Sequence, residues 1–188
     1  MERKRIEIEA KFPLLNKNET VINLTKAGKQ TEKDLRQNDT YYTPAHENFI
    51  EKKPISEWLR LRQTEDEVTI NYKNWSNNGK NNKISCKELE VGLDDFNGMK
   101  QIMEALDFKE IIVVDKTRNS WEYNDIVISV DEVKNLGDFI ELEFKTNLFD
   151  NEEESLNYIL NAIRELNINV GDQIFAGYPQ LVMEKNKK

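Results

Sequence analysis

The sequence predicts an α+β fold: an antiparallel β-sheet formed into an inverted barrel, with a polar lumen and with helices packed on its apolar outside. Three observations predict it. Strand-like segments dominate the 188 residues, charged side chains take alternate positions in most of them, and three amphipathic helical segments are available to cover the other face. Successive side chains of a strand point to opposite faces, so the alternation puts the charges on one side of the sheet by geometry alone.

The elements follow in order. Residues 6–12 alternate strictly, and Pro13 ends that strand. Residues 20–34 read as a helix with Val21, Leu24 and Ala27 on one side, although Gly28 weakens it. Asp39-Thr40-Tyr41-Tyr42 reads as a short strand, and residues 43–56 as a loop that carries the single histidine, His46. Residues 58–62 and 68–73 form a hairpin around the acidic turn Thr64-Glu65-Asp66-Glu67. Residues 74–83 form a polar, Asn-rich loop, and Ile84 to Val91 a strand.

A helix follows over about 94–107, with Asp94 or Asp95 as N-cap and Phe96, Met99, Ile102, Met103 and Leu106 at helical spacing. Strands return at 110–118, 119–124, 126–134 and 139–146. The helix over 152–166 has the stripe Leu156, Ile159, Leu160, Ile163 and Leu166, and three glutamates at the positive end of its dipole. A short helix is expected within 171–183. No internal repeat or linker divides the chain.

Separating odd from even positions gives the candidate site. Glu7, Glu9 and Lys11 share a face; so do Arg60 and Arg62, Asn71 and Lys73, Glu88 and Glu90, Lys116 and Arg118, and Glu141 and Glu143. An antiparallel sheet with one wet face commonly carries charges there. These faces, however, are nearly purely charged, and their signs are grouped by strand. Grouped carboxylates and grouped Arg and Lys suit a polyanion with its metals: the acids hold divalent cations, and the bases hold phosphate oxygens.

Composition narrows the partners. The chain has 35 acidic and 27 basic residues, a formal net charge of -8, which argues against nucleic-acid binding. Its single cysteine, Cys86, excludes an intramolecular disulfide framework and reads as a small buried apolar residue. No apolar run approaches the ~20 residues of a membrane span. An acidic protein in the cytoplasm, not bound to membrane, is the expectation.

Read together, these segments resemble the CYTH family, the triphosphate tunnel metalloenzymes. Glu7-Ile8-Glu9-Ala10-Lys11 matches its N-terminal Glu-x-Glu-x-Lys signature, and Asp39-Thr40-Tyr41-Tyr42 resembles its second strand. Leu59-Arg60-Leu61-Arg62, Lys73, Glu88-Leu89-Glu90, Lys116-Thr117-Arg118 and Asp131 follow in order, and Gly137-Asp138-Phe139-Ile140-Glu141-Leu142-Glu143 matches the Gly-x-Phe-x-Glu-x-Glu element. The likeness covers about residues 3–180 and is nearest to class IV adenylate cyclases of the CyaB type; thiamine triphosphatases share much of the pattern.

The resemblance implies a single CYTH domain over 1–188, with an eight-stranded antiparallel tunnel that binds a triphosphate and Mg²⁺ or Mn²⁺. It implies metal-site roles for Glu7, Glu9, Glu88, Glu90, Asp131, Glu141 and Glu143. Triphosphate contacts would come from Lys11, Arg60, Arg62, Lys73, Lys116 and Arg118, and the catalytic group would be Glu7, Glu9, Lys11, Glu141 and Glu143. Glu88 and Glu90 could instead orient the bases. The Gly177-Tyr178-Pro179 segment stands where the family has a Ser-Tyr element, and packing suits it better than substrate contact.

Two reactions use the same metals and cations. In a cyclase the ribose 3′-hydroxyl of ATP attacks the α-phosphate, giving cyclic AMP and pyrophosphate; in a triphosphatase acting on tripolyphosphate or thiamine triphosphate, water attacks the terminal phosphate. A non-catalytic nucleotide or polyphosphate binding module is a third reading, and a homodimer is compatible with each.

Overall fold

The structure is a computed structural model that describes residues 9–77, 83–144 and 152–187. Eight strands form one antiparallel sheet in the order β1-β8-β7-β6-β2-β3-β4-β5. They are β1 (Glu9–Pro13), β2 (Lys29–Thr43), β3 (Glu57–Gln63), β4 (Val68–Asn77), β5 (Lys83–Leu93), β6 (Lys109–Tyr123), β7 (Ile126–Val133) and β8 (Gly137–Phe144). Among the described residues four helices accompany them: α1 (Lys17–Ala27), α2 (Phe96–Ala105), α3 (Glu152–Glu165) and α4 (Tyr178–Asn186). None of the described helices is long and apolar enough to cross a membrane.

The described chain divides into two compact units. One contains β1, α1, the start of β2 as far as Leu35, and Lys116–Ala176. Its core is the apolar face of β1, β6, β7 and β8: Ala10, Phe12, Trp121, Ile126, Ile128, Val130, Ile140 and Leu142 are buried against Leu24 of α1 and Ile159, Ala162 and Ile163 of α3. The stripe expected on the third helix is therefore the one that packs, with Leu156 and Leu160 at its margin. Beside β1, residues 169–174 run antiparallel to it: the Ile174 N–H donates to the Lys11 carbonyl at 2.8 Å and the Gly171 N–H to that of Pro13 at 2.9 Å.

The other unit contains Arg36–Asp115 and α4. Here Tyr42, Leu61 and Met103 are buried, with Leu59, Ile70, Phe96, Met99 and Phe108 packed against them. Asp95 caps α2, its side chain accepting from the Asn97 N–H. Two residues of the expected stripe do not pack: Ile102 and Leu106 are exposed, and Leu106 lies beyond the end of α2 at Ala105.

Two boundaries differ from expectation. The first helix stops at Ala27, and Lys29 begins a 15-residue strand. The Gly28 N–H closes the helix on the Leu24 carbonyl at 2.8 Å, and the polar residues from Lys29 to Arg36 pair along β6 instead of continuing the helix: Thr31 bonds Ser120 and Arg36 bonds Asp115. The segments 110–118 and 119–124 are one continuous strand, since unbroken pairing with β7 from Lys116 to Tyr123 leaves no turn between them. The polar loop predicted over 74–83 shrinks as well, because β4 extends to Asn77 and β5 starts at Lys83; the segment between them is outside the described residues, as is the beginning of the first predicted strand.

Candidate functional site

Cross-strand pairing sets the charged residues in rows. In the unit built on β1, β6, β7 and β8, one row is Ser120–Ser129–Glu141–Lys11. The row on one side is Arg118–Asp131–Phe139–Pro13, and on the other Glu122–Val127–Glu143–Glu9. The odd-and-even argument required this arrangement; the register determines which acid meets which base.

Arg118 is the hub. Its Nε donates to Asp131 Oδ1 at 2.7 Å, and its Nη2 donates to Asp131 Oδ2 and also to Glu141 Oε2. Lys116 Nζ reaches the same Asp131 at 3.2 Å, and Lys11 Nζ reaches Glu141 Oε1 at 3.0 Å and the Ala176 carbonyl at 3.5 Å. Burial opposes the charge of Glu141, but Lys11 first, and then Arg118 and Lys116, outweigh it and hold the carboxyl well below the usual range. Burial likewise opposes the charge of Asp131, and Arg118 and Lys116 overcome it.

In the unit built on β3, β4 and β5, the rows are Asp39–Arg62–Thr69–Gly92, Tyr41–Arg60–Asn71–Glu90 and Trp58–Lys73–Glu88. Arg62 forms a fork with Asp39, and Arg60 Nη1 lies 3.8 Å from the same carboxylate. Asn71 donates to Glu88 at 2.7 Å and Glu90 at 3.0 Å, while Arg60 reaches Glu90 and Lys73 reaches Glu88, each at 3.4 Å. Glu88 is held below its usual range: burial raises it, and Lys73 with the Asn71 hydrogen bond lowers it further. Burial of Tyr41, with Asp39 beside it, pushes its phenol up to about 12.

Five of the six bases singled out by sequence lie on these polar rows, and Lys116 lies one row beyond Arg118, opposite Val133; their side chains are only 3–22% exposed. Of the predicted acids, Asp131, Glu141, Glu88 and Glu90 hold those bases; Glu9 and Glu143 stand directly opposite each other; Glu7 lies outside the described residues. Three participants were not singled out as site residues, Asp39, Ser120 and Ser129, and Asn71 was placed on the charged face without a role. The available signal for the serines was parity, since Ser120 is two residues beyond Arg118 and Ser129 is two before Asp131. His46 is exposed, and Cys86 is buried, as expected. Tyr178, at the start of α4, is buried.

The donor set fits a hard divalent cation. All candidate ligands are carboxylate oxygens, and Glu9, Glu141 and Glu143 occupy neighbouring positions on one face. Among the described residues no three acids, histidines or cysteines come together in a group that could hold a metal ion by themselves. Mg²⁺ characteristically takes one or two carboxylates plus substrate phosphates rather than an all-protein cage, so the arrangement suits it.

A family model for the CYTH domain matches residues 5–178. The chain belongs to the CYTH family. It is 32% identical over 178 residues to a Methanocaldococcus jannaschii protein named "Putative adenylate cyclase", covering 94% of this chain and 98% of that one. Among solved structures, a protein of Pyrococcus horikoshii OT3 is 27% identical with a TM-score of 0.78, over 95% of this chain and 99% of that one. A Vibrio parahaemolyticus protein, also described as a "putative adenylate cyclase", has a TM-score of 0.75 at 13% identity, over 96% and 99%. A Hippeastrum "putative adenylyl cyclase", described as having a dominant triphosphatase activity, has a TM-score of 0.64 at 14% identity, over 97% and 96%. At those last two identities the likeness concerns the CYTH fold alone.

Proposed function

We propose that this CYTH protein is a divalent-metal-dependent enzyme that converts ATP to cyclic AMP and pyrophosphate. The observation that carries the reading is the burial of six bases on polar faces of the sheet, each held by carboxylates. Burying a charge is costly, and paired charges seldom recover more than they lose. An arginine fork that holds a carboxylate can hold a phosphate with the same two N–H groups. The name of the archaeal relative, matched along nearly its whole length, supports the cyclase form.

In this reading Lys11, Lys116 and Arg118, and also Arg60, Arg62 and Lys73, exchange carboxylate partners for phosphate oxygens and stabilise the charge of the leaving phosphate. Asp39 and Asn71 orient the bases and acids around them. Glu9, Glu141 and Glu143, with Glu7, would hold Mg²⁺ or Mn²⁺, with Asp131, Glu88 and Glu90 in supporting roles. Such a cation, when bound, supplies charge neutralisation and polarises the attacking oxygen. The buried rows exclude bulk water from the phosphates.

A triphosphatase is the second reading, favoured by the activity described for the Hippeastrum protein of the same fold. Product analysis separates them. The protein is incubated with ATP, tripolyphosphate or thiamine triphosphate and Mg²⁺ or Mn²⁺, and cyclic AMP, ADP, pyrophosphate and phosphate are resolved. Cyclic AMP with equimolar pyrophosphate is the expected result. ADP and phosphate from ATP, or phosphate from the other two, would replace the cyclase reading with the triphosphatase, and tight binding without turnover would replace both.

A further inference from the structure

Ser120 and Ser129 are buried hydroxyls in the middle of the polar rows, and the roles above do not use them. Ser120 Oγ donates to Glu32 Oε2, across from β6 to β2. The two serine oxygens are 2.9 Å apart, with either able to donate. A hydroxyl has one proton. With that of Ser120 given to the Glu32 carboxylate, Ser129 must donate to Ser120. The chain therefore has one direction, Ser129 to Ser120 to Glu32, and it leaves Ser129 Oγ with its lone pairs as acceptor.

The neighbours of that acceptor are specific. Ser129 stands opposite Glu141 in β8 and opposite Ser120 in β6. One row away on the same face are Arg118 and Asp131; one row away on the other side are Glu143 and Glu9. The acceptor is thus set between the arginine assigned to phosphate and the carboxylates assigned to the metal. Glu32, the partner of Ser120, lies two residues before an irregularity in β2: Asp34 has φ of 50°, with its N–H bonded to Asn119 Oδ1 at 2.9 Å. A non-glycine residue in that region marks a local break in the alternation of the strand.

We infer that Ser129 is a further catalytic residue, which accepts the proton of the attacking hydroxyl and passes it through Ser120 to Glu32; this rests on the triphosphate-processing reading. As the attacking oxygen forms its bond to phosphorus, the bond from phosphorus to the leaving oxygen breaks, and the leaving phosphate takes that electron pair. The attacking hydroxyl gives its proton to Ser129 Oγ, Ser129 gives its own to Ser120, and Ser120 gives its own to Glu32, which ends as a neutral carboxylic acid. Each serine ends with one proton, as it began. Ser120 and Glu32 are positioning residues in this scheme, acting through Ser129. The attacker is the ribose hydroxyl of a nucleotide or a water, so the relay serves either reaction.

The test compares Ser129→Ala, Ser129→Thr, Glu32→Gln and the double variant Glu32→Gln/Ser129→Ala with the parent. kcat and KM are measured for ATP with Mg²⁺, together with binding of tripolyphosphate. Proton transfer by a positioned side chain contributes roughly 10²–10⁴-fold. Ser129→Ala should lower kcat by at least about 10²-fold, with KM and tripolyphosphate affinity within about twofold, and Ser129→Thr should recover most of the rate. Glu32→Gln should match the alanine variant, because an amide can donate to Ser120 and reverse the chain. The double variant should be no worse than either single one, since the residues act as a unit.

An unchanged kcat in Glu32→Gln and Ser129→Ala would overturn the relay, and so would an equal loss of kcat and of tripolyphosphate affinity, the mark of packing. If Ser129→Ala does not fold, Glu32→Gln carries the test alone, since Glu32 is only half-buried. Failure of the underlying reading is seen separately, in a parent protein that neither binds tripolyphosphate nor consumes ATP.

Discussion

Arg62 presents Nε and Nη2 to the two carboxylate oxygens of Asp39 at 2.6 and 2.7 Å. Asp39 is 2% exposed, so Arg62 is its principal compensation for burial, with Arg60 a more distant second. The pair illustrates the general design of these rows: each acid keeps a base in place, and each base makes the burial of an acid tolerable.

Removing one partner should therefore cost more than removing both. Arg62→Ala strands a buried carboxylate, for which about 3–5 kcal/mol is typical. The double variant Arg62→Ala/Asp39→Leu should regain a substantial part of that loss. Urea denaturation of the two variants checks the order; a double variant less stable than Arg62→Ala would show that Asp39 stabilises by other contacts.

Glu141 predicts an acid limb in stability. Its folded-state value is held well below the usual 4.5, chiefly by Lys11 once burial is overcome. A depressed carboxyl contributes stability that is present in full above its unfolded value and is lost as pH falls through the folded one. The parent should thus be more stable than Glu141→Gln from neutral pH to about 5, and the gap should close progressively below about pH 4. Urea midpoints measured from pH 7 to pH 3 check it. Glu9→Gln, at an exposed position opposite Glu143, should show no comparable loss and is the cleaner variant for testing metal dependence of activity.

Gly28 is fixed by close approach rather than by its dihedral angles. An added Cβ would lie 2.9 Å from the Glu122 carbonyl oxygen and 3.3 Å from Trp121 Cβ. Neither can move easily, since one is backbone in β6 and the other belongs to a fully buried tryptophan. Gly28→Ala should destabilise by about 1–3 kcal/mol, the usual cost of overpacking, seen as a lower Tm with unchanged far-ultraviolet circular dichroism below the transition.

Metal and triphosphate should stabilise the protein together. Asp131, Glu141, Glu88 and Glu90 already hold bases, so metal alone has little to relieve at those acids. Triphosphate that takes the bases would free those acids to hold a metal, whose charge would offset that of the phosphates. Each should improve the binding of the other. At 100 times its dissociation constant one ligand adds ~2.7 kcal/mol. The rise in Tm with Mg²⁺ plus tripolyphosphate should exceed the sum of the separate rises. A melting curve indifferent to millimolar amounts of both would reduce the charged rows to a solvated sheet face.

The sequence by itself determined the faces. Strand alternation has a period of two, so Arg60 and Arg62, or Glu141 and Glu143, had to share a side wherever the strand was placed. The apolar stripes of α2 and α3 located the helices for the same reason. Partners were not so determined. That Arg118 holds Asp131 and Glu141 while Arg62 holds Asp39 depends on register between strands far apart in sequence, and alternation carries no register. Nor could local propensity find the early half of β2: the polar run from Lys29 to Arg36 has little apolar periodicity, and its pairing with β6 makes it a strand. Glu32 reaches Ser120 only through that pairing, which is why the hydroxyl chain from Ser129 to Glu32 was settled by tertiary structure alone.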